Sequence, residues 1–363
     1  MELFHKILKT AVDGGASDIH IKPDAPVVYR ISSQLVETEM AQKPEEQWLQ
    51  KVIDNIVPGH FKQTLDEDRE IDFSYHVPDI GRFRTNCYQH LGKWCLAMRH
   101  VVAEVPNIDS LGLPEVIKSI AEAHRGIVMV AGTTGCGKST TLAGMINHIN
   151  TTQKRHIITL EDPVEYVFKD NQCIIEQREI GLDTPSYLHS LKHIMRQDPD
   201  VIMIGEMRDA TSFRAAMSAA DTGHLVLSTL HTIDAPQSIS RMLDFFPADE
   251  RESVRKQMLG TLKAIIVQRM IVRKDGGVIP AVEIMINTST VSKLINENRL
   301  EKLHAAVETG TDEGMQNFNQ SLLQLVKDDI ITKEEALEKA SNAQALEMNF
   351  KGIFLSEGSR ILN

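Results

Sequence analysis

Residues Gly132-Thr133-Thr134-Gly135-Cys136-Gly137-Lys138-Ser139 fill every position of the pattern G-x-x-x-x-G-K-[ST], whose chemistry is the cradling of a nucleoside triphosphate. Glycines let backbone N–H groups wrap phosphate oxygens without a Cβ clash, and a following helix turns the positive end of its dipole toward them. Lys138 supplies charge to the β- and γ-phosphates, and the Ser139 hydroxyl supplies a ligand for Mg2+. Thr133, Thr134, Gly135, Cys136, Gly137 and Thr140 complete the phosphate-binding set. Cys136 adds a question of its own. A thiol at a helix N-terminus tends toward the reactive thiolate, whereas a small shielded filler would be inert; the sequence leaves both open.

Three further groups of residues have types suited to the same chemistry. In Ile158-Thr159-Leu160-Glu161-Asp162-Pro163-Val164-Glu165, Glu161, Asp162 and Glu165 follow an apolar run and could hold Mg2+ and its waters; a solvated acidic turn is the plain alternative. Glu206 ends the apolar run Val201-Ile202-Met203-Ile204-Gly205, where a carboxylate can orient and polarise an attacking water. His224 and His231 bracket Leu225-Val226-Leu227-Ser228-Thr229-Leu230. Histidines so placed could sense a γ-phosphate or pass its loss between subunits, against a structural or surface role.

The elements that must position these groups are legible as alternating strand and helix patterns. Apolar runs at 127–131, 157–160, 201–204 and 225–229 read as buried strands, each followed by polar or glycine residues. Longer helical patterns separate them, as in a mostly parallel sheet covered on both faces, with ligands at the carboxyl ends of the strands. Residues 1–105 read as a separate α/β unit with strands at 17–21, 27–31, 71–75 and 81–86. The breaker-rich stretch from Ala103 to Pro114 reads as a boundary, with a linker at 106–114. The nucleotide-binding domain then covers 115–290. A helical region, 291–363, follows, with a helix over Gly314–Val326 and a capping box at Thr332-Lys333-Glu334-Glu335.

Composition narrows the class. The 363 residues suggest about two domains. A formal net charge of -11 argues against a nucleic-acid track. The four cysteines form no C-x-x-C pair, so reduced thiols are expected rather than a disulfide framework or zinc knuckle. Charged and polar residues interrupt Met1–Thr10, and no apolar window reaches spanning length. A cytoplasmic protein without direct membrane insertion is expected.

The four boxes in this order, with Gly15-Ala16-Ser17-Asp18-Ile19-His20 near the N-terminus, resemble the PilT/PilU family of type IV pilus retraction ATPases, within the wider secretion ATPase superfamily. The resemblance covers nearly the whole chain. It implies a homohexamer of two-domain subunits: an N-terminal PAS-like α/β domain, and a C-terminal RecA-like P-loop ATPase domain with a helical tail. It implies ATP and Mg2+ as ligands and Glu206 as the catalytic glutamate. Arg84, in Gly81-Arg82-Phe83-Arg84, and Arg99 look like the family's arginines that close over the γ-phosphate, where they would spread transition-state charge; an ordinary charged strand edge is the alternative.

Within the family the chain leans toward the PilU branch. Residues 181–184, 245–249 and 314–318 look similar to PilU segments. Where PilT carries AIRNLIRE, this chain has Thr290-Val291-Ser292-Lys293-Leu294-Ile295-Asn296-Glu297, so both motif arginines are replaced. The resemblance implies a motor for pilus retraction and twitching at the inner face of the inner membrane, acting on a pilus platform protein there. Two alternatives stand beside it. One is an ATP-binding accessory module working on a paralogous PilT-like ATPase; the other is a pilus assembly or type II secretion ATPase.

Overall fold

Two β-sheets organise the chain in the computed structural model, which describes residues 1–32, 34–38, 43–101 and 105–354. Each sheet belongs to one of two compact units. The first unit comprises Met1–Glu104 with the later segments Asp162–Val167 and Glu179–Asp183. Its elements are α1 (Glu2–Asp13), β1 (Asp18–Ile21), β2 (Val28–Ile31), β3 (Gln34–Glu37), α2 (Glu46–Ile56), α3 (Lys62–Asp68), β4 (Glu70–Val77), β5 (Gly81–His90) and β6 (Lys93–Val101). The strand order is β3-β2-β1-β6-β5-β4, antiparallel throughout. Strand alternation sends Ile71, Phe73, Phe83, Cys87, Leu96 and Met98 into a core closed by apolar residues of α1 and α2. Residues of the opposite parity form a polar outer face.

On that outer face the registers line up Arg30, Asp18, Arg99, Arg84 and Ser74 across the strands β2, β1, β6, β5 and β4. The strands expected in this unit are present; β3 and β6 were not anticipated. The β5–β6 turn is Leu91-Gly92, with φ of 51° and 78°. A leucine in the left-handed region is rare, so the turn carried no sequence signal.

The second unit comprises Val105–Glu161, Phe168–Arg178 and Thr184–Asn363. Its elements begin with α4 (Val116–Ala121), β7 (Gly126–Gly132), α5 (Lys138–Thr152), β8 (His156–Glu161), β9 (Ile174–Glu179), α6 (Tyr187–Ile194), β10 (Val201–Ile204), α7 (Ala210–Asp221), β11 (Leu225–Leu230) and α8 (Ala235–Asp244). There follow α9 (Arg251–Thr261), β12 (Leu262–Val272), β13 (Val278–Ile286), α10 (Ser289–Asn296), α11 (Leu303–Thr309), α12 (Phe318–Lys327), α13 (Lys333–Lys339) and α14 (Ala343–Phe350). The order is β13-β12-β7-β11-β10-β8-β9; β12, β7, β11, β10 and β8 run parallel and β13 antiparallel to β12. Separate apolar clusters cover the two faces, one built on α4 and α5 and the other on α6 to α8 and the C-terminal helices.

The four expected strands are there. The β12–β13 hairpin was not foreseen, although Asp275-Gly276-Gly277 between two apolar runs was a usable turn signal. The stretch 106–114 is no open linker. Ile108 is buried, and the Asn147 side chain of α5 donates to the Pro106 carbonyl at 3.2 Å; Ala103 and Glu104 lie outside the described residues. Residues 291–354 share the second unit's core rather than standing apart. The expected helix at 314 begins at Phe318, since Gly314 has φ 86° and Asn317 with Gln320 forms the capping box. At Thr332 only half a capping box exists: Thr332 accepts from Glu335 N–H, while the Glu335 carboxylate accepts from Val272 N–H at 3.2 Å. Among the described residues no helix is long and apolar enough to cross a membrane.

Candidate active site

The phosphate loop joins β7, buried along its whole length, to the start of α5. Gly132, Gly135 and Gly137 have φ of 143°, 79° and 87°, a region that only glycine enters freely. Space enforces the same choice. A Cβ on Gly132 would come within 2.6 Å of the Gln268 carbonyl, and one on Gly137 would strike the Met270 methyl. Thr133, Thr134 and Gly135 are exposed, and Ser139 and Thr140 half-buried on the first turn of α5. Lys138, 9% exposed, donates to the carbonyls of Gly132 and Thr133, both at 3.0 Å.

Cys136 is buried, and burial pushes its thiol pKa up despite the neighbouring Lys138. Of the two readings left open by the sequence, burial favours the shielded filler, because desolvation outweighs the Lys138 charge and the backbone hydrogen bonds. All four cysteines are buried.

Glu206 follows β10, which lies two places from β7 in the sheet, about 10 Å away. Its neighbours are pinned by the flanking strands: Gly205 N–H donates to the Leu160 carbonyl at 2.8 Å, Thr229 Oγ1 to the Gly205 carbonyl at 2.7 Å, and Met207 N–H to the Thr229 carbonyl at 3.2 Å. The chain on either side of Glu206 is thus fixed to the flanking strands. One oxygen faces His231 Nε2 at 3.4 Å, and the other accepts from Arg208 Nε at 2.9 Å and from its terminal nitrogen at 2.8 Å. They open onto a cleft of about 380 Å³ lined also by Thr232, Gln237 and Arg241. Arg208 was missed by sequence reasoning, although its spacing two residues after Glu206 was a usable signal.

Glu161 ends β8, is 6% exposed, and accepts from Thr159 Oγ1 at 2.7 Å and Gln177 Nε2 at 3.1 Å. Asp162 and Glu165 are exposed and belong to the segment Asp162–Val167 of the first unit. Glu161 and Asp162 thus fall in different units.

The histidines also separate. His231 joins Glu206, but His224 stands at the other end of β11, roughly 20 Å away along the strand. There its Nδ1 lies 2.8 Å from the Ala219 carbonyl and 3.1 Å from Thr222 Oγ1, at the end of α7. The two histidines stand at opposite ends of β11, as their bracketing of the apolar run implied. In the first unit Arg84 is exposed and directly opposite Arg99, which donates to Asp18 at 2.8 Å. Arg82 instead pairs with Glu179 at 3.0 Å.

A buried parallel strand, a glycine loop, a helix starting at the lysine and a carboxylate two strands away define a P-loop nucleotide-binding protein. A family model described as Type II/IV secretion system protein matches residues 1–320. The type IV pilus retractation ATPase PilT of Pseudomonas aeruginosa is 37% identical over 335 residues, 92% of this chain and 97% of that one. The type IV pilus ATPase PilU of the same organism is 36% identical over 349 residues, 96% and 91% of the two chains. A crystal structure of the pilus retraction motor PilT with bound ADP superposes with a TM-score of 0.87 at 39% identity, covering 94% of this chain and 98% of its own. The chain belongs to the Type II/IV secretion system protein family and, within it, to the PilT/PilU type IV pilus ATPases. Identities of 37% and 36% do not separate the two branches.

Proposed function

We propose that this chain is a Mg2+-dependent ATPase that works as a homohexamer to power type IV pilus retraction and twitching, at the cytoplasmic face of the inner membrane and against a platform protein there. The observation that carries the reading is Glu206, held by His231 and Arg208 on a chain segment pinned at the carboxyl edge of the sheet that also carries the phosphate loop. The loop's residues fit a Mg2+–nucleotide: its three glycines hold the positive φ values that wrap the loop at the start of α5, and Ser139 follows Lys138 on the helix's first turn. When bound, Mg2+ would be held by Ser139 and would neutralise charge between the β- and γ-phosphates.

The chain's own groups then divide the work. Loop N–H groups and Lys138 bind the phosphates, and Lys138 exchanges its two loop carbonyls for phosphate oxygens. Glu206 accepts a proton from, and orients, the attacking water. His231 and Arg208 hold that carboxylate. Arg84 and Arg99, neighbours across β5 and β6 with Arg99 paired to Asp18, are the arginines assigned to the γ-phosphate's developing charge. In purified protein, Glu206→Gln is expected to bind ATP normally and to lose turnover about 100-fold or more. Retained turnover would remove Glu206 from the mechanism.

An accessory role beside a sister ATPase is a second reading, favoured by α10. At the two motif arginine positions stand Ser292, which donates to Asn287 at 2.7 Å, and the exposed Asn296. Deleting the sister ATPase separates the two readings: an autonomous motor still supports twitching, an accessory does not.

A further inference from the structure

The loop that carries His231 is anchored at each of the four residues that follow it. Thr232 Oγ1 lies 2.6 Å from Ser238 Oγ, and Ile233 N–H donates to Gln237 Oε1 at 2.8 Å. The Asp234 carboxylate caps α8 by accepting from Gln237 N–H at 2.7 Å, and Ala235 N–H donates to the buried Glu283 at 2.7 Å. The Ile233 carbonyl accepts from one terminal nitrogen of Arg269 at 3.3 Å. The other terminal nitrogen of Arg269 donates at 2.8 Å to the carbonyl of Lys339, the last residue of α13. The same guanidinium lies over the Phe318 ring of α12, 3.8 Å from its centroid.

Arg269 stands on β12 between two residues that serve the phosphate loop. Gln268 donates to Thr141 Oγ1 of α5 at 2.8 Å, and the Met270 methyl occupies the space beside Gly137. Successive strand residues point to opposite faces. One strand therefore supports the phosphate loop on one face, and on the other ties the His231 loop to the C-terminal helices.

We propose that Arg269 is a positioning residue for hydrolysis, linking α12 and α13 to the placement of His231 beside Glu206. Its planar fork satisfies carbonyls from two separate elements at once, which a lysine ammonium on a flexible stem does not reproduce. A side chain remote from the chemistry can act strongly this way, because a shift of about 1 Å in a catalytic group can lower the rate about 100-fold. Any change in the C-terminal helices that moves the Lys339 carbonyl reaches the His231 loop through this side chain.

The inference rests on the ATPase reading, and the test keeps the two apart. Wild type is assayed first; if it does not hydrolyse ATP, the ATPase reading itself fails. With wild type active, Arg269→Lys, which keeps charge and stem, is expected to bind nucleotide within about twofold of wild type while kcat falls about tenfold or more with KM unchanged. Phe318→Leu, which removes the stacking partner, is expected to lower kcat in the same direction. On a His231→Ala background, Arg269→Lys is expected to add no further loss, because both changes remove one interaction. Wild-type kcat in Arg269→Lys, or a loss that multiplies fully with His231→Ala, would overturn the proposal.

Discussion

At the scale of single residues, the groups assigned to catalysis are held before any ligand arrives. Lys138 already makes two hydrogen bonds within its own loop, so a triphosphate gains by replacing them with charge-assisted ones. Lys138→Ala is expected to weaken ATP binding about tenfold or more, measured by titration with a fluorescent analogue. Glu283 gives a second prediction. Burial, with the nearby Asp234 charge and against the Ala235 amide and Arg269, pushes its carboxyl from 4.5 up to about 7. Between those values the folded form holds a proton that the unfolded chain has lost. This contribution to stability is full below pH 4.5 and is lost as pH rises through 7, by at most about 3 kcal/mol. Urea denaturation at pH 5 and pH 8 is expected to show that fall in wild type and a smaller one in Glu283→Gln; equal falls would place the pH dependence elsewhere. The loop residues, Glu206 and His231 were legible because their motifs fix chemistry at short spacing. Arg269 and Glu283 were not, since their roles arise only when β12 and β13 are brought beside a loop more than 30 residues earlier in the chain.

At the scale of elements, strands buried on both faces announce themselves as apolar runs, and β7, β8, β10 and β11 did so. Elements without punctuation did not. The β5–β6 turn puts Leu91, 89% exposed, at φ 51°. Leu91 makes no compensating burial, so Leu91→Asn is expected to stabilise the first unit by up to about 1 kcal/mol, read from its thermal unfolding. At the start of α12, Asn317 and Gln320 satisfy each other's backbone donors. Asn317→Ala is expected to lower the second unit's stability by about 1 kcal/mol in chemical denaturation.

At the scale of the whole molecule, the division into two units followed from length and breaker density. The finer assignment did not, because segments at 162–167 and 179–183 leave the second unit's sequence span to join the first. Such excursions depend on tertiary packing and carry no local signal. The central claim is that turnover at Glu206 drives pilus retraction. It is tested most directly by counting surface pili and scoring twitching in cells whose chromosomal copy carries Glu206→Gln. Excess surface pili with twitching abolished is the expected result. Unchanged pili and twitching would contradict it, and loss of pili would point instead to an assembly motor.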